Sequence, residues 1–178
     1  MTRAQRILAI VLASLIATFF AVQSFRWAGH AGAERAHRKF LGHVEDRRWS
    51  RCHGMISEAY SDRWGFDRKD ISLALQDVGG QFIISLTIDW TTREISPPEA
   101  DEGHAVIGTM RLDGRGGPAV DYILREARAF TAQPFTFRWR REGLMPWSWK
   151  LVSIDHPTVE VPAGYTPGDL GSAASARI

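Results

Sequence analysis

The sequence has little cysteine and no excess of charge of either sign. Cys52 is the only cysteine among 178 residues, so the chain cannot form an internal disulfide, and one thiol does not hold a zinc ion by itself. Lys and Arg number 22 against 20 Asp and Glu, which gives a formal net charge of +2. This balance does not favour nucleic-acid binding, and we expect no nucleic-acid partner.

The motifs of metal and phosphate chemistry are also missing. No histidine pair has the HxH, HxxxH or HExxH spacing of a metal site, and Cys52 directly adjoins His53. The glycine-rich residues 114–117 precede Pro118 and a predicted strand, which indicates a hairpin turn instead of a phosphate loop. We therefore expect no metal, no cofactor and no catalytic residue. The six histidines are His30, His37, His43, His53, His104 and His156.

One long hydrophobic run lies near the N-terminus. Residues 7–22 carry no charge, and extension to Phe25 gives about 19 residues, or roughly 28 Å of helix. Ser14 and Thr18 are the polar side chains at depth, and their hydroxyls can bond to the helix backbone. Because apolar residues surround the whole segment, we interpret residues 1–26 as a transmembrane signal anchor.

A cleaved signal peptide is the alternative to this anchor. Cleavage sites require small residues soon after the apolar run, whereas Phe25, Arg26 and Trp27 follow it here and the nearest match is at residues 31–33. We therefore favour an uncleaved, single-pass anchor. A short basic leader before one apolar run is typical of an export signal, so we expect the globular domain on the extracytoplasmic side.

The rest of the chain divides into three parts. Residues 27–32 are a small-residue connector, and residues 163–178 are rich in Gly, Ala, Ser and Pro, which predicts a disordered tail. Residues 33–162 contain no repeats and have the size of one domain.

Helical periodicity dominates the start of this domain. Ala36, Phe40 and Val44 are four residues apart, which predicts an amphipathic helix over residues 33–48. Ser50 is the expected N-cap of a short second helix. Asp67, with Asp70 three residues later, is the expected cap of a third helix that stops at residues 79–80.

After these helices the apolar period changes to two. Phe82, Ile84, Leu86, Ile88 and Trp90 alternate with polar residues, which predicts a strand with one wholly apolar inner face. The domain is therefore predicted to be α+β, with three helices packed on a curved antiparallel sheet of about four to five strands. The further predicted strands are residues 105–112, 119–130, 135–141 and 147–154.

Two segments carry a resemblance to a known family. They are residues 60–68 (YSDRWGFDR), which end a helix-helix-loop segment, and the last strand, residues 149–154 (WKLVSI). With the order of elements, they resemble the nuclear transport factor 2-like superfamily over residues 33–162. The resemblance implies a conical cavity between sheet and helices, where the members that are enzymes place a carboxylate or a His/Asp pair.

Four residues are the candidates for such chemistry: Asp62, Asp89, His104 and Asp121. Asp89 alternates away from the apolar face, and Asp121 and Tyr122 fall on opposite sides of a predicted strand, so we expect no acid and donor to meet in the cavity. We predict a membrane-anchored, non-catalytic binding or accessory module, such as a subunit of a larger membrane assembly. The alternative is a small-molecule cavity enzyme of the isomerase, dehydratase or cyclase type. The expected partners are the lipid bilayer and a protein or a second copy of the chain.

Three aromatic residues in one short loop need apolar cover. Tyr60, Trp64 and Phe66 are predicted to pack where the helices meet the sheet.

Residues 135–141 alternate aromatic and basic side chains, as a strand with one buried and one solvated face does.

Overall fold

The computed structural model describes residues 3–97, 103–130, 133–162 and 164–169. These ranges contain five helices and a four-stranded antiparallel sheet in the order β1-β2-β3-β4, so the fold is α+β as predicted. The helices are α1 (Arg3–Arg26), α2 (Gly29–Glu45), α3 (Trp49–Met55), α4 (Arg68–Gly79) and α5 (Val120–Phe130). The strands are β1 (Ser85–Ser96), β2 (His104–Arg115), β3 (Phe135–Arg141) and β4 (Trp149–Asp155).

Helix α1 contains the whole hydrophobic run, so the prediction of one continuous helix is confirmed. Its segment Ile7–Arg26 has a mean hydropathy of 2.2 and is long and apolar enough to cross a membrane. The folded domain does not bury this segment, and large side chains such as Leu8 and Phe25 are exposed.

Helix α2 buries the predicted apolar face. Ala36, Phe40 and Val44 belong to the hydrophobic core, and the Phe40 ring packs edge-on against the Trp139 ring, with centroids 5.7 Å apart. The helix begins at Gly29, four residues before the predicted start, because only a short irregular step at Trp27 separates it from α1.

The caps of the shorter helices follow the predictions only in part. The Asp67 carboxylate accepts hydrogen bonds from the Lys69 and Asp70 N–H groups, at 2.7 and 2.9 Å, and forms a capping box with Asp70 at the start of α4. Helix α4 ends at Gly79 as predicted. The expected Ser50 cap is wrong, because α3 already begins at Trp49 and has no side-chain cap.

The segment predicted as a strand over residues 119–130 is wrong, because it forms helix α5. Its apolar residues Val120, Ile123, Ala127 and Phe130 are three or four positions apart, the spacing of one helix face. The error came from treating a run rich in apolar residues as a strand when its period was helical. The described sheet consequently has four strands.

The glycine-rich residues 114–117 also require a correction. They form no hairpin turn: residues 114–115 are the last two of strand β2, and residues 116–117 lead from it towards α5. The Gly117 N–H donates to the Gln81 carbonyl at 2.9 Å, and the Gly117 carbonyl accepts from the Val120 N–H at 3.0 Å. These groups therefore tie the start of α5 to the chain that precedes β1.

The predicted inner face of β1 is confirmed for Leu86, Ile88 and Trp90, which pack against the core. Ile84 is an exception, because its side chain is 71% exposed. Strand β1 begins only at Ser85, and the preceding residues form a turn in which Phe82 is buried. The period of two therefore does not extend back to Ile84.

Helix α2 packs against all four strands of the sheet. Register shifts between Thr92 and Glu94 in β1 and between Arg138 and Trp139 in β3 mark bulges, which bend these strands locally. The segment after α3 covers the edge of β4, where the Ser57 N–H donates to the Leu151 carbonyl at 2.9 Å.

Residues 164–169 lie against α4. The Asp77 carboxylate accepts from the Tyr165 hydroxyl at 2.9 Å and from the Gly168 N–H at 2.7 Å. These contacts hold the described part of the predicted tail to the domain. Residues 163 and 170–178 of that tail lie outside the described ranges.

A close contact joins α1 and α2 to the sheet. The Trp149 indole N–H donates to the Trp27 carbonyl at 3.1 Å. A Cβ atom at Gly32 would overlap that carbonyl and lie 2.7 Å from Trp149 Nε1, whereas a Cβ at Gly42 in the same helix would meet nothing within 4 Å.

We expect Gly32→Ala to destabilise the domain by about 1–3 kcal/mol, because backbone must move to admit the methyl group. The matched control, Gly42→Ala, should leave stability unchanged or raise it by up to about 1 kcal/mol through helix propensity. Urea unfolding of the full chain in detergent micelles measures both changes. Equal stability of the two variants would contradict the tight junction.

Candidate functional site

A cavity of about 220 Å³ lies between α2, α4 and the sheet. The side chains that line it are aliphatic or aromatic, and Gly79 contributes backbone. The lining residues are Phe40, Leu41, Val44, Trp64, Leu75, Val78, Gly79, Phe82, Leu86, Ile88, Met110, Leu112, Phe135, Phe137 and Ile154.

The periodicity of each element directs these side chains inward. Phe40 and Val44 are one turn apart on α2, so they share the face that points at the sheet. Leu86 and Ile88 alternate with polar residues on β1 and therefore point to the same side. The cavity is thus formed by the same apolar stripes that form the core.

A second cavity of about 350 Å³ adjoins the first beneath α5. The two share lining residues from three elements, so α5 covers one end of the cone. The shared residues are Val78, Met110, Leu112 and Phe135, and α5 adds Tyr122, Ile123, Glu126, Ala127 and Phe130. This cover was not predicted from the sequence, because residues 119–130 were assigned to a strand, although the helical spacing of their apolar residues indicates it.

Among the four candidate residues, Asp62 makes the most contacts. Its carboxylate accepts from the Tyr60 hydroxyl at 2.9 Å and from the Trp64 and Phe66 N–H groups at 3.0 Å each. Burial raises the pKa of Asp62, and these hydrogen bonds oppose the increase. Asp62 thus organises the aromatic loop instead of lining the cavity.

The aromatic loop packs as predicted where helices meet sheet. Tyr60 is buried in the core, and Trp64 and Phe66 are partly buried against it. The Trp64 indole N–H donates to the Val159 carbonyl at 2.9 Å, while its ring lines the cavity. The loop therefore forms one wall of the cone.

The other three candidates lie apart from one another. Asp89 and Asp121 are exposed, on β1 and α5 respectively. His104 packs against His30 and Trp149, with ring centroids 5.1 and 5.4 Å apart. Over the described residues, neither cavity is lined by any of the four candidates.

His37 is a completely buried titratable ring on α2, to which the sequence assigned no role. Its ring packs 4.3 Å from Trp90 and 4.7 Å from Phe137, measured between centroids. Within the described part of the chain, neither of its nitrogens has a hydrogen-bond partner. Burial, with a smaller contribution from the Arg38 charge, lowers the pKa of His37 to about 3, so the ring is neutral near pH 7. Since Phe137 lines the cavity, His37 lies just behind its wall.

His156 and Cys52 are both buried inside the folded domain. His156 Nδ1 accepts from the Val159 N–H at 3.1 Å, and Nε2 lies 3.2 Å from the Phe130 carbonyl. Cys52 is buried in the core, where desolvation raises the pKa of its thiol to about 11. No group of three or more His, Cys, Asp or Glu side chains in the described ranges is placed to hold a metal ion.

Comparisons with solved structures find similarity of fold. Bd1075 of Bdellovibrio bacteriovorus matches with a TM-score of 0.50 and 10% identity over 73% of this chain and 41% of that protein. An NTF2-like protein of unknown function from Pseudomonas putida matches with a TM-score of 0.49 and 9% identity, over 79% of this chain and 94% of that protein. ActVI-ORFA from Streptomyces coelicolor matches with a TM-score of 0.47 and 11% identity, over 73% of this chain and 95% of that protein.

Similar solved structures therefore include proteins of the NTF2-like fold. This chain spans about two fifths of the length of Bd1075. At about one identical residue in ten, these similarities concern the fold and assign no activity or ligand. The sequence matches no protein-family model and no curated protein.

We expect His37 to make the domain sensitive to acid. Between pH 6.5 and about 3 the unfolded chain binds a proton that the folded chain excludes, so stability falls as pH falls, by up to about 1.4 kcal/mol per pH unit. His37→Phe should remove this contribution from the dependence of unfolding free energy on pH. His30→Phe, at an exposed position, should keep the wild-type steepness. An unchanged slope in His37→Phe would show that another group causes the acid sensitivity.

Proposed function

We propose that this chain is a membrane-anchored, non-catalytic binding module whose cone holds a small apolar molecule. The apolar lining of the 220 Å³ cavity is the observation that carries the proposal. Proton transfer needs a titratable group within hydrogen-bonding reach of the substrate. The described lining residues offer van der Waals contact and desolvation instead, which favour retention of an apolar ligand without a reaction.

The dimensions of the cavity limit the ligand. An apolar cavity of about 150 Å³ can hold a benzene molecule, so 220 Å³ suits a slightly larger hydrocarbon or ring system. The cavity extends from Phe137, which pairs with Val106 near the start of β2, to a far end that lies away from the membrane-proximal part of the domain. His104 begins β2 beside Trp149 and the Trp27 junction, whereas Leu112 in the cavity wall is eight residues, or about 26 Å of strand, further on.

Naphthalene is a suitable probe of this cavity. At a concentration ten times its Kd it should stabilise the full chain by about 1.4 kcal/mol, which corresponds to a rise of about 5 °C in melting temperature. Leu86→Trp, which fills the cavity, should abolish the rise. Ile84→Trp, two residues away and exposed, should keep it.

Circular dichroism of each variant confirms that it folds, and Leu86→Phe replaces Leu86→Trp if the larger ring prevents folding. A melting temperature that is unchanged by naphthalene in the wild-type chain would contradict the binding proposal.

The second candidate function is a cavity enzyme of the isomerase, dehydratase or cyclase type. The observation that favours it is the position of His37, a neutral imidazole that packs against the wall residue Phe137. A catalysed reaction of an apolar carbonyl compound that is lost in His37→Phe, with the fold intact, would support this candidate over the first.

The anchoring part of the proposal is supported by α1, although a cleaved signal sequence has the same length and composition. We expect the expressed chain to keep its original N-terminus and to stay in the membrane fraction after carbonate extraction. Leu12→Arg with Leu15→Arg should release it, because each charge costs about 3 kcal/mol at the centre of a bilayer. Ser14→Leu should remain in the membrane. A mature N-terminus near residue 33 would contradict the anchor.

We further propose that the domain lies on the extracytoplasmic side and works beside a partner protein or a second copy of the chain. The short basic leader before α1 supports the orientation, and the exposed ring of Tyr122 on α5 supports a partner. Protease access to the domain in intact spheroplasts, and chemical crosslinking in membranes, test the two parts separately.

A further inference from the structure

The loop between β3 and β4 carries apolar side chains that the folded domain leaves uncovered. Leu144 is fully exposed, and Met145 and Trp147 are 45% and 40% exposed. We call these three residues the loop tip. Several large apolar side chains exposed together in one loop indicate an interaction surface.

Hydrogen bonds within the loop between β3 and β4 fix the position of the loop tip. The Glu142 N–H donates to the Ser148 carbonyl at 2.8 Å, and the Ser148 N–H and hydroxyl both donate to the Met145 carbonyl, at 3.0 and 2.6 Å. Gly143 has φ of +98°, a value that favours glycine, at the position that leads into Leu144. The exposure of the loop tip therefore belongs to a defined turn.

The loop tip lies alongside α1. The Trp147 ring stacks on the Phe20 ring, with centroids 6.3 Å apart and planes inclined by 20°. Phe20 precedes Arg26, the last residue of α1, by six positions, which is about 9 Å of helix. The loop tip thus sits beside the apolar surface of α1 and not beyond its charged end.

We propose that the loop tip inserts into the lipid bilayer that α1 spans, as a second membrane contact of the domain. This inference rests on the proposed anchoring by α1. With Arg26 at the headgroups, Trp147 lies about 9 Å deeper, within the depth at which interfacial amphipathic elements bury their apolar face. The apolar surface of α1 continues onto the loop tip through the ring contact of Phe20 with Trp147.

The residue types of the loop fit this environment. Tryptophan is enriched at membrane interfaces, because its ring is apolar and its N–H needs a polar partner. Arg26 at the end of α1 and Arg141 at the end of β3 are both exposed, so their charges can contact anionic headgroups. Two contacts with one bilayer restrict the tilt of the domain, which a single helix does not.

Site-specific fluorescence in vesicles tests the insertion. Leu144→Cys is labelled with an environment-sensitive fluorophore, and the full chain is reconstituted in phosphatidylcholine and phosphatidylglycerol vesicles that contain a lipid with a nitroxide high on its acyl chain. Ile84→Cys, at an apolar position that is 71% exposed, is the matched control on the turn before β1. The wild-type chain is the labelling blank, because Cys52 is buried. Flotation of the vesicles reports anchoring independently.

We expect the label at position 144 to be quenched about threefold or more by the nitroxide lipid, as at the shallow depth of interfacial elements, and the label at position 84 to keep its emission in water. If the protein floats with the vesicles but both labels stay unquenched, the insertion is wrong and the anchor stands. If the protein does not float, both the anchor and the insertion are wrong. Equal quenching at positions 84 and 144 would also overturn the insertion, because it would place the whole domain against lipid.

Discussion

The packing of Phe40 from α2 against Trp139 in β3 is the contact on which the rest of the domain depends. Both side chains are almost completely buried, and loss of such an aromatic ring typically costs about 3–5 kcal/mol. Helix α2 packs against all four strands, and the bulge next to Trp139 bends β3 locally. Trp64 of the aromatic loop and the second half of α4 then line another side of the interior.

The cavity follows from the same arrangement. Helix α2 and the sheet are in contact near Trp139, and towards Leu86 and Leu112 the apolar side chains do not fill the space between them. Helix α5 and the chain around Val159 cover that end. The cavity is apolar on many sides, while Asp62 and His37 contribute to the surrounding wall and do not line it.

The two ends of the domain have different roles. Near the junction with α1, the Trp149 hydrogen bond to Trp27 and the ring contact of Trp147 with Phe20 hold the β3–β4 end close to the helix. The cavity lies towards the other end of β2. If α1 anchors the domain in a bilayer, the Leu112 end of the cavity points away from that bilayer, towards water or a partner.

The sequence by itself determined the elements whose signal is local. The apolar run of α1, the amphipathic stripe through Phe40, the Asp67 capping box and the alternation from Leu86 to Trp90 each depend on neighbours within a few positions, so their spacing was sufficient to predict them.

Only the tertiary structure decided the rest. The apolar spacing of residues 120–130 was already helical, and the tertiary structure decided which surface this helix covers, namely Met110 and Leu112. The burial of His37 without partners and the use of Asp62 by the Trp64 and Phe66 backbone depend on residues distant in sequence or on the exact path of a loop. A cavity is a mismatch between packed surfaces, and its shape is therefore a property of the assembled elements, which no single segment carries.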